Sequence, residues 1–282
     1  MPPGTLFVVA TPIGHLEDIT LRALRVLKSV ALVAAEDTRR TGNLLRHFEI
    51  HTPILSVHEH NERVRAPQIL ARLGAGDSVA IVTDAGTPAI SDPGASLVAA
   101  VRKAGFKVEP VPGASSVVAA LSVSGVSSDG FTFLGFAPFK GKDRQLWLQT
   151  VADESAHRAV VFFEAPHRLL KTLGELGYLV KRPIFVAREL TKVYEELKFG
   201  TASELSELFP APQGEFTLIV PPLEKGVELM EAVTDDQIIE EFGQITENKA
   251  PGSKREAARM VGERLGLTTK QVYLVLERYK IG

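Results

Sequence analysis

Residues 78–94 read SVAIVTDAGTPAISDPG, an apolar, β-branched run that breaks into a loop carrying Gly86, Pro88, Pro93 and Gly94. A short β-rich run of this kind reads as a strand, and ligands of open α/β sheets sit at the carboxyl ends of the strands. Working outward, the same alternation extends in both directions. Before it come LFVVA (6–10), a helix near Leu21 to Ser29, ALVAA (31–35), a helix near Gly42 to Phe48, PILSV (53–57) and a helix near Ala66 to Leu73. After it come a helix near Ala95 to Lys103, KVEPV (107–111) and a helix opened by Pro112-Gly113. Strand and helix taking turns predict an open, mostly parallel α/β sheet. From Gly130 to Pro222 the rhythm repeats less regularly: FTFLGF, a helix around Gln145 to Val151, AVVFFEA, a helix from His167 to Leu176, PIFVARE, ELKFG, a short helix and GEFTLIVP. The small, turn-prone stretch SVSGVSSDG (122–130) is the expected hinge between two α/β domains, 1–124 and 125–223, with a cleft between them.

The 282 residues are 45% apolar and 23% charged, an ordinary globular balance that excludes disorder as the main state. A net charge of -2 gives no global reason to bind nucleic acid or membrane, so any basic surface has to be local. Without cysteine there are no disulfides, Cys zinc sites, iron–sulfur clusters or thiol nucleophiles. The opening MPPGTLFVVATPIG has no positive leader and reads as a first strand rather than a signal segment. No run of about 18 apolar residues is present for a membrane span, and a soluble, cytoplasmic protein is expected.

Residues 224–282 differ from the rest. Eight acidic side chains against one Lys over 224–248 give way to eight Lys or Arg against three Glu over 249–282. Ser253 with Glu256 forms a capping-box pattern, Ala257, Val261 and Leu265 an apolar stripe, and Gly266-Leu267-Thr268 a turn into a second helix bearing Val272, Val275 and Leu276. An acidic linker followed by a basic helix-turn-helix-like tail is expected, either touching nucleic acid through Lys254, Arg255 and Lys270 or serving as a plain helical cap.

Neither GxGxxG after the first strand nor GxxxxGK[ST] occurs, which removes the main support for hydride transfer and ATP hydrolysis. The loops at strand carboxyl ends are instead Thr11-Pro12-Ile13-Gly14 and Thr83 to Gly94, the latter of a length that is usually functional, with an ordinary Gly-Pro connection as the alternative, and carrying Asp84 and Asp92 for hydroxyl or ammonium groups. Val111 to Ser116 (VPGASS) offers free backbone donors at a helix start. The triplet His58-Glu59-His60, read as a strand end, would send its side chains to opposite faces and lacks metal-pair spacing, so no metal is expected. A polar loop with Asn61 and Arg63, and a basic loop with Lys140, Lys142 and Arg144, could grip RNA phosphates or be solvated surface; Phe136, Phe139 and Trp147 nearby could stack on bases, although a helical Trp is more often core.

These stretches, VATPIGHLEDITLRAL, AEDTRRTGNLL, SVHEHNE, VTDAGTPAISDPG, VPGASSVVAAL, FFEAPHRLLKTL and ARELTKVYEE, together resemble the ribosomal RNA small subunit methyltransferase I family from about Thr5 to Pro222. That family methylates a cytidine ribose 2'-oxygen in 16S rRNA and belongs to the tetrapyrrole (corrin/porphyrin) methylase superfamily. The resemblance implies two α/β domains with S-adenosylmethionine in the cleft between them, a small C-terminal helical domain and a homodimer. Carried over position by position, Pro12, Asp84, Gly86, Thr87, Pro88, Ile90, Ser91, Ser115 and Ser116 would line the donor site, joined by Phe163, Glu164 and Arg188 from the second domain. Family members often carry Tyr where this chain has Val57, which puts one ring contact in doubt.

Methyl transfer to a ribose hydroxyl calls for in-line positioning and a group to take the proton. Asp37 is the first candidate, then Glu36 and Glu164, with Arg39, Arg40, His58 and Asn61 toward the RNA. For Asp37 the competing role is helix capping. The expected partner is 16S rRNA within the small ribosomal subunit; a tetrapyrrole or protein substrate, or a non-catalytic RNA-binding relative, are the alternatives.

Overall fold

The computed structural model describes residues 2–127, 129–223, 235–248, 254–265 and 269–279. Residues 1–222 form one compact unit and 223–282 a second. In the first unit, β1 (Thr5–Val9), β2 (Leu32–Ala35), β3 (Ile54–Ser56), β4 (Val79–Val82) and β5 (Lys107–Val111) make a sheet of order β3-β2-β4-β1-β5, parallel at every pairing. The crossovers are α1 (Leu21–Ser29), α2 (Thr38–His47), α3 (Glu62–Gly74) and α4 (Ala95–Lys103), and α5 (Ser116–Ser124) follows β5.

Every residue of β2 and β4 is buried, which is why LVAA and VAIV show no polar alternation. Val26, Leu27 and Leu45 cover one face of the sheet, and Ile69, Leu73, Leu97 and Val101 the other. Each such fully buried Leu or Ile contributes about 1.5–3 kcal/mol. The second helix starts at Thr38, earlier than the expected Gly42, because the Asp37 side chain accepts the Arg39 N–H and caps the turn there.

A second sheet has the order β6-β7-β10-β8-β9, built from β6 (Phe131–Phe136), β7 (Ala159–Glu164), β8 (Ile184–Arg188), β9 (Glu196–Gly200) and β10 (Phe216–Val220). Only β6 and β7 are parallel; the other pairings are antiparallel. Alternation in AVVFFE sorts the two faces: Val160 and Phe162 meet the core under α6 (Gly141–Glu154), α7 (Leu169–Leu179) and α8 (Ala202–Leu208), while Ala159 and Val161 meet Val117, Ala120 and Leu121 of α5. The last helix of the first sheet thus packs on the second. At the expected hinge α5 ends on Gly125, whose φ of 68° is left-handed; Ser128 lies outside the described residues.

The second unit contains α9 (Asp235–Asn248), α10 (Lys254–Leu265) and α11 (Thr269–Arg278). Its α9 corrects the acidic-linker expectation: Ile238, Phe242 and Ile245, at helical spacing, share a core with Ala257, Val261, Val272 and Leu276. The acidic-to-basic switch is partly an internal pairing, Glu241 with Arg264 and Asp235 with Arg278. The Ser253 cap, the Gly266-Leu267-Thr268 turn and the Lys270 side chain lie outside the described residues. Among the described residues no helix is long and apolar enough to cross a membrane.

Candidate active site

From β1 the chain crosses toward β2, and from β4 it crosses to β5 on the other side, so the neighbours β1 and β4 diverge at their carboxyl ends. A crevice opens at such a point. The two loops are tied together there: Thr11 N–H donates to Gly86 O at 2.9 Å, Gly86 N–H to Thr11 O at 3.1 Å, and the Thr11 hydroxyl to Thr83 O at 3.1 Å. Gly86 has φ of 81°, and Ala89 and Ser91 are left-handed at 69° and 62° without being glycine. Such strain, of order 1–3 kcal/mol per residue, persists only where the surroundings enforce it. The Thr11–Gly14 turn also meets the turn after β8. A methyl on Gly14 would lie 2.6 Å from Thr191 Oγ1 and 2.9 Å from Leu190 O, and His15 N–H donates to Thr191 Oγ1 at 3.0 Å.

Between these loops and the second sheet lies a cavity of about 300 Å³. Ile13, Phe136, Phe163, Leu190 and Phe216 give it apolar walls; Ser91, Asp92, Ser116, Thr217 and Glu215 supply polar groups. No Lys or Arg is among its lining residues, whereas Asp92, Glu164 and Glu215 are; Glu164 is paired with Arg168 at 2.7 Å and Glu215 with Lys192 at 3.0 Å, which leaves Asp92 as the carboxylate without such a partner among the described residues. An apolar slot rimmed by carboxylates suits an organic cation with a flat aromatic part. It adjoins a wider polar cavity of about 740 Å³, lined by Glu36, Asp37, Arg39, Ser56, the triplet His58-Glu59-His60, Asp92 and Ser96.

Carboxylates at the ends of β2 and β4 dominate the electrostatics. Glu36 Oε2 accepts the Thr83 hydroxyl at 2.6 Å, and Asp84 Oδ1 accepts Asp37 N–H at 3.1 Å while Arg40 stands 3.5 Å from Oδ2. Burial, then Glu36, pushes the Asp84 carboxyl up, and the same two causes push Asp92 up to about 6. Asp37 goes the other way: hydrogen bonds from Arg39 hold it far below the usual carboxylate range.

Of the expected donor-site residues, Ser91, Ser116 and Phe163 line the apolar cavity. Pro12, Gly86 and Pro88 are buried in the loops that shape it. Asp84 faces Arg40 and Asp37, the Thr87 hydroxyl points to Ala114 O at 3.4 Å, Ile90 is exposed, and Ser115 is the N-cap residue of α5 with an unused side chain. Arg188 is drawn off by Glu196 at 2.6 Å, its cross-strand partner, and by Gln213 O at 2.7 Å. Sequence reasoning missed Ile13, Leu190 and Glu215 as lining residues; Ile13 stood within the TPIG stretch, but nothing local marks a turn Glu before a strand.

Several expectations are corrected. Glu164 is 1% exposed and its carboxylate is fully engaged, by Arg168 at 2.7 Å, by Ala165 N–H at 2.8 Å and by the Thr172 hydroxyl, so it is not a free proton acceptor. Arg144 is no RNA contact: 3% exposed, it binds Glu175 at 2.8 Å, Pro138 O at 2.8 Å and Thr172 at 2.7 Å. Asn61 ties its own turn, accepting His58 N–H at 2.9 Å. The triplet His58-Glu59-His60 lies past the end of β3 in a turn, so all three residues line one cavity instead of splitting across a strand. Among the described residues no group of three metal-ligating side chains converges. Trp147 is core, edge-on to Phe162 at 4.9 Å, whereas Phe136 and Phe139 are exposed. Arg39 lines the polar cavity, and Lys140, Lys142, Lys254 and Arg255 are exposed.

Residues 5–206 match the family model of the Tetrapyrrole (Corrin/Porphyrin) Methylases. Over 275 residues, 96% of each chain, the protein is 43% identical to the ribosomal RNA small subunit methyltransferase I of a Synechocystis species. The chain belongs to this methyltransferase family. It is also 43% identical over 279 residues to the Xylella fastidiosa protein, covering 96% of this chain and 98% of that one, and 49% identical over 209 residues to the Pseudomonas aeruginosa protein, covering 73% of each. Among solved structures, diphthine synthase superposes with a TM-score of 0.60 at 14% identity, covering 77% of this chain and 90% of that one. A uroporphyrin-III-C-methyltransferase from Thermus thermophilus superposes at 0.54 and 24%, covering 77% and 94%. These two likenesses concern the fold. As a member of the family the protein is a methyltransferase with a tetrapyrrole-methylase fold.

Proposed function

We propose that the protein methylates the 2'-oxygen of a cytidine ribose in 16S rRNA of the small ribosomal subunit. S-adenosylmethionine is the methyl donor: a solved neighbour of the same fold, the Thermus thermophilus uroporphyrin-III C-methyltransferase, is described in complex with S-adenosylhomocysteine. The cavity's make-up fits such a cation, with aromatic walls for adenine and Asp92 for positive charge. When bound, the donor supplies a methyl group activated on a sulfonium. The chain's own part is to hold donor and acceptor in line, a contribution that reaches about 7–11 kcal/mol, and to keep water out with Phe136, Phe163 and Phe216.

The observation that carries this reading is the meeting of two unlike cavities, an apolar slot rimmed by carboxylates and an open polar one bordered by Arg39, His58 and His60, at a single loop. Equal numbers of acidic and basic residues over 1–223 leave little general attraction for naked RNA. The acceptor is therefore the assembled or assembling subunit. The family resemblance extends to a homodimer in the cytoplasm, and exposed Val193, Tyr194, Leu197 and Phe199 on and beside the edge strand β9 offer a face for a second copy.

Purified protein would be incubated with tritium-labelled donor and, separately, with small subunits lacking the modification, free 16S rRNA, a short hairpin and uroporphyrinogen. Label confined to the subunits supports the proposal. Robust labelling of the hairpin contradicts the subunit requirement, and label only in the macrocycle contradicts the RNA reading.

A further inference from the structure

Only two of the described residues, Ser91 and Asp92, line both cavities. A methyl group passing from one cavity to an acceptor in the other must cross where the two meet, so a side chain at that boundary is in reach of the reacting oxygen. We propose that the Asp92 carboxylate is the proton acceptor for the hydroxyl that is methylated. This rests on the function proposed above.

Glu59 lines the polar cavity away from that boundary, and four further carboxylates are committed elsewhere. Asp37 is closed by Arg39 from its own helix; Glu36 takes the Thr83 hydroxyl; Asp84 takes Asp37 N–H and faces Arg40; Glu164 is sealed among Arg144, Arg168 and Thr172. Asp92 pairs with no Lys or Arg among the described residues, and the nearby Thr83 hydroxyl, which donates to Glu36 at 2.6 Å, is the one neutral side chain that lowers its proton affinity. Its backbone is held in place. Ser91 before it is left-handed at φ 62°, and Ala89 N–H donates to the carbonyl of Pro93 after it at 3.1 Å, closing a tight turn that contains Asp92.

The charges around Asp92 set its proton affinity. Burial acts first, then Glu36 from the end of β2; Asp84 from its own loop and Glu215 from the turn before β10 push in the same direction, against the Thr83 hydrogen bond. Across the polar cavity, Glu59, Glu62 and the imidazoles of His58 and His60 face it from the β3–α3 segment, and Arg39 from α2. A carboxyl brought from 3.8 to about 6 lies closer to the neutral operating range, where a proton acceptor works best. In the step, the ribose oxygen forms a bond to the methyl carbon as that carbon's bond to sulfur breaks. The electron pair stays on sulfur, which becomes a thioether, and the hydroxyl proton passes to Asp92. Solvent then takes it.

Two readouts on the full chain test this. Carbon-13 NMR of carboxyl-labelled aspartate, assigned by the loss of one resonance in Asp92→Asn, should show that carboxyl titrating near 6; an inflection near the ordinary 3.8 overturns the proposal. Single-turnover methylation of small subunits is then followed across pH. With donor held saturating for each protein, as fixed by calorimetry, Asp92→Asn should fall by about 10²–10⁴-fold and lose the acid limb. Glu36→Gln should move the limb of the otherwise intact protein to lower pH. An Asp92→Asn rate within about fivefold of wild type, with the limb retained, overturns the proposal while the function stands. A wild-type protein that binds donor yet labels no subunit overturns the function, and the proposal with it.

Discussion

Arg39 closes on Asp37 with three hydrogen bonds, from its backbone N–H at 2.8 Å, from Nε at 3.2 Å and from Nη2 at 2.8 Å, so that both carboxylate oxygens are occupied. The same carboxylate caps α2. A group held this far toward its ionised form has little affinity for a further proton at neutral pH. Asp37→Asn, which keeps the cap, should lower the methylation rate by less than about tenfold and leave its pH profile unchanged, well short of the 10²–10⁴ expected for loss of a base. A loss of several hundredfold would return the role to Asp37.

Asp92 makes an opposite prediction for stability. Its carboxyl titrates at about 6 in the fold against 3.8 when unperturbed, so between these values the folded state binds the extra proton and stability falls as pH rises. The shift corresponds to at most about 3 kcal/mol, and half-exposure reduces this to about 1 kcal/mol. Urea unfolding should find Asp92→Asn more stable than wild type by roughly that amount at pH 8, with the gap closing below about pH 4. A variant less stable at pH 8 would show that Asp92 is a structural anchor.

Glu164 stands between two arginines, 2.7 Å from Arg168 and 3.9 Å from Arg144, in the lining of the apolar cavity. Removing one partner of a buried ion cluster leaves an uncompensated charge, at a cost of about 3–5 kcal/mol. Glu164→Gln and Arg144→Leu should each lower stability on that scale in chemical denaturation, whereas Lys140→Ala and Lys142→Ala stay within about 0.5 kcal/mol. If Arg144→Leu were neutral for folding yet weakened binding to the subunit, the surface role first expected for it would be restored.

The architecture was legible because its signals are local. The buried strands LVAA and VAIV, the β7 alternation and the Gly/Pro loop after β4 each announce their element without tertiary information. What escaped depends on partners distant in sequence. Arg144 looked like surface because Glu175 and Thr172, which draw it inward, come 28 or more residues later, and nothing near Arg188 reveals Glu196 and Gln213 as its partners. The helix α9 was hidden by its acidic residues, although Ile238, Phe242 and Ile245 carried the helical period. Asp92 stood in the loop that drew attention first; its place on the boundary of two cavities belongs to the fold.

Gly14 joins the two sheets' loops at closest range. A Cβ there would meet Lys192 Cγ at 2.5 Å as well as Thr191 and Leu190, so Gly14→Ala must push the two loops apart. An overpacking cost of about 1–3 kcal/mol is expected. Because Ile13 and Leu190 both line the apolar cavity proposed to hold the donor, S-adenosylmethionine affinity measured by calorimetry should fall along with stability. Unchanged affinity in a destabilised variant would separate the cavity from this contact.

The most direct measurement is mass-spectrometric mapping of the methyl group placed by the wild-type protein on small subunits that lack it. The account predicts one cytidine in 16S rRNA carrying its new methyl on the ribose. A methyl group on a base, on a ribosomal protein, or on no component of the subunit would contradict it.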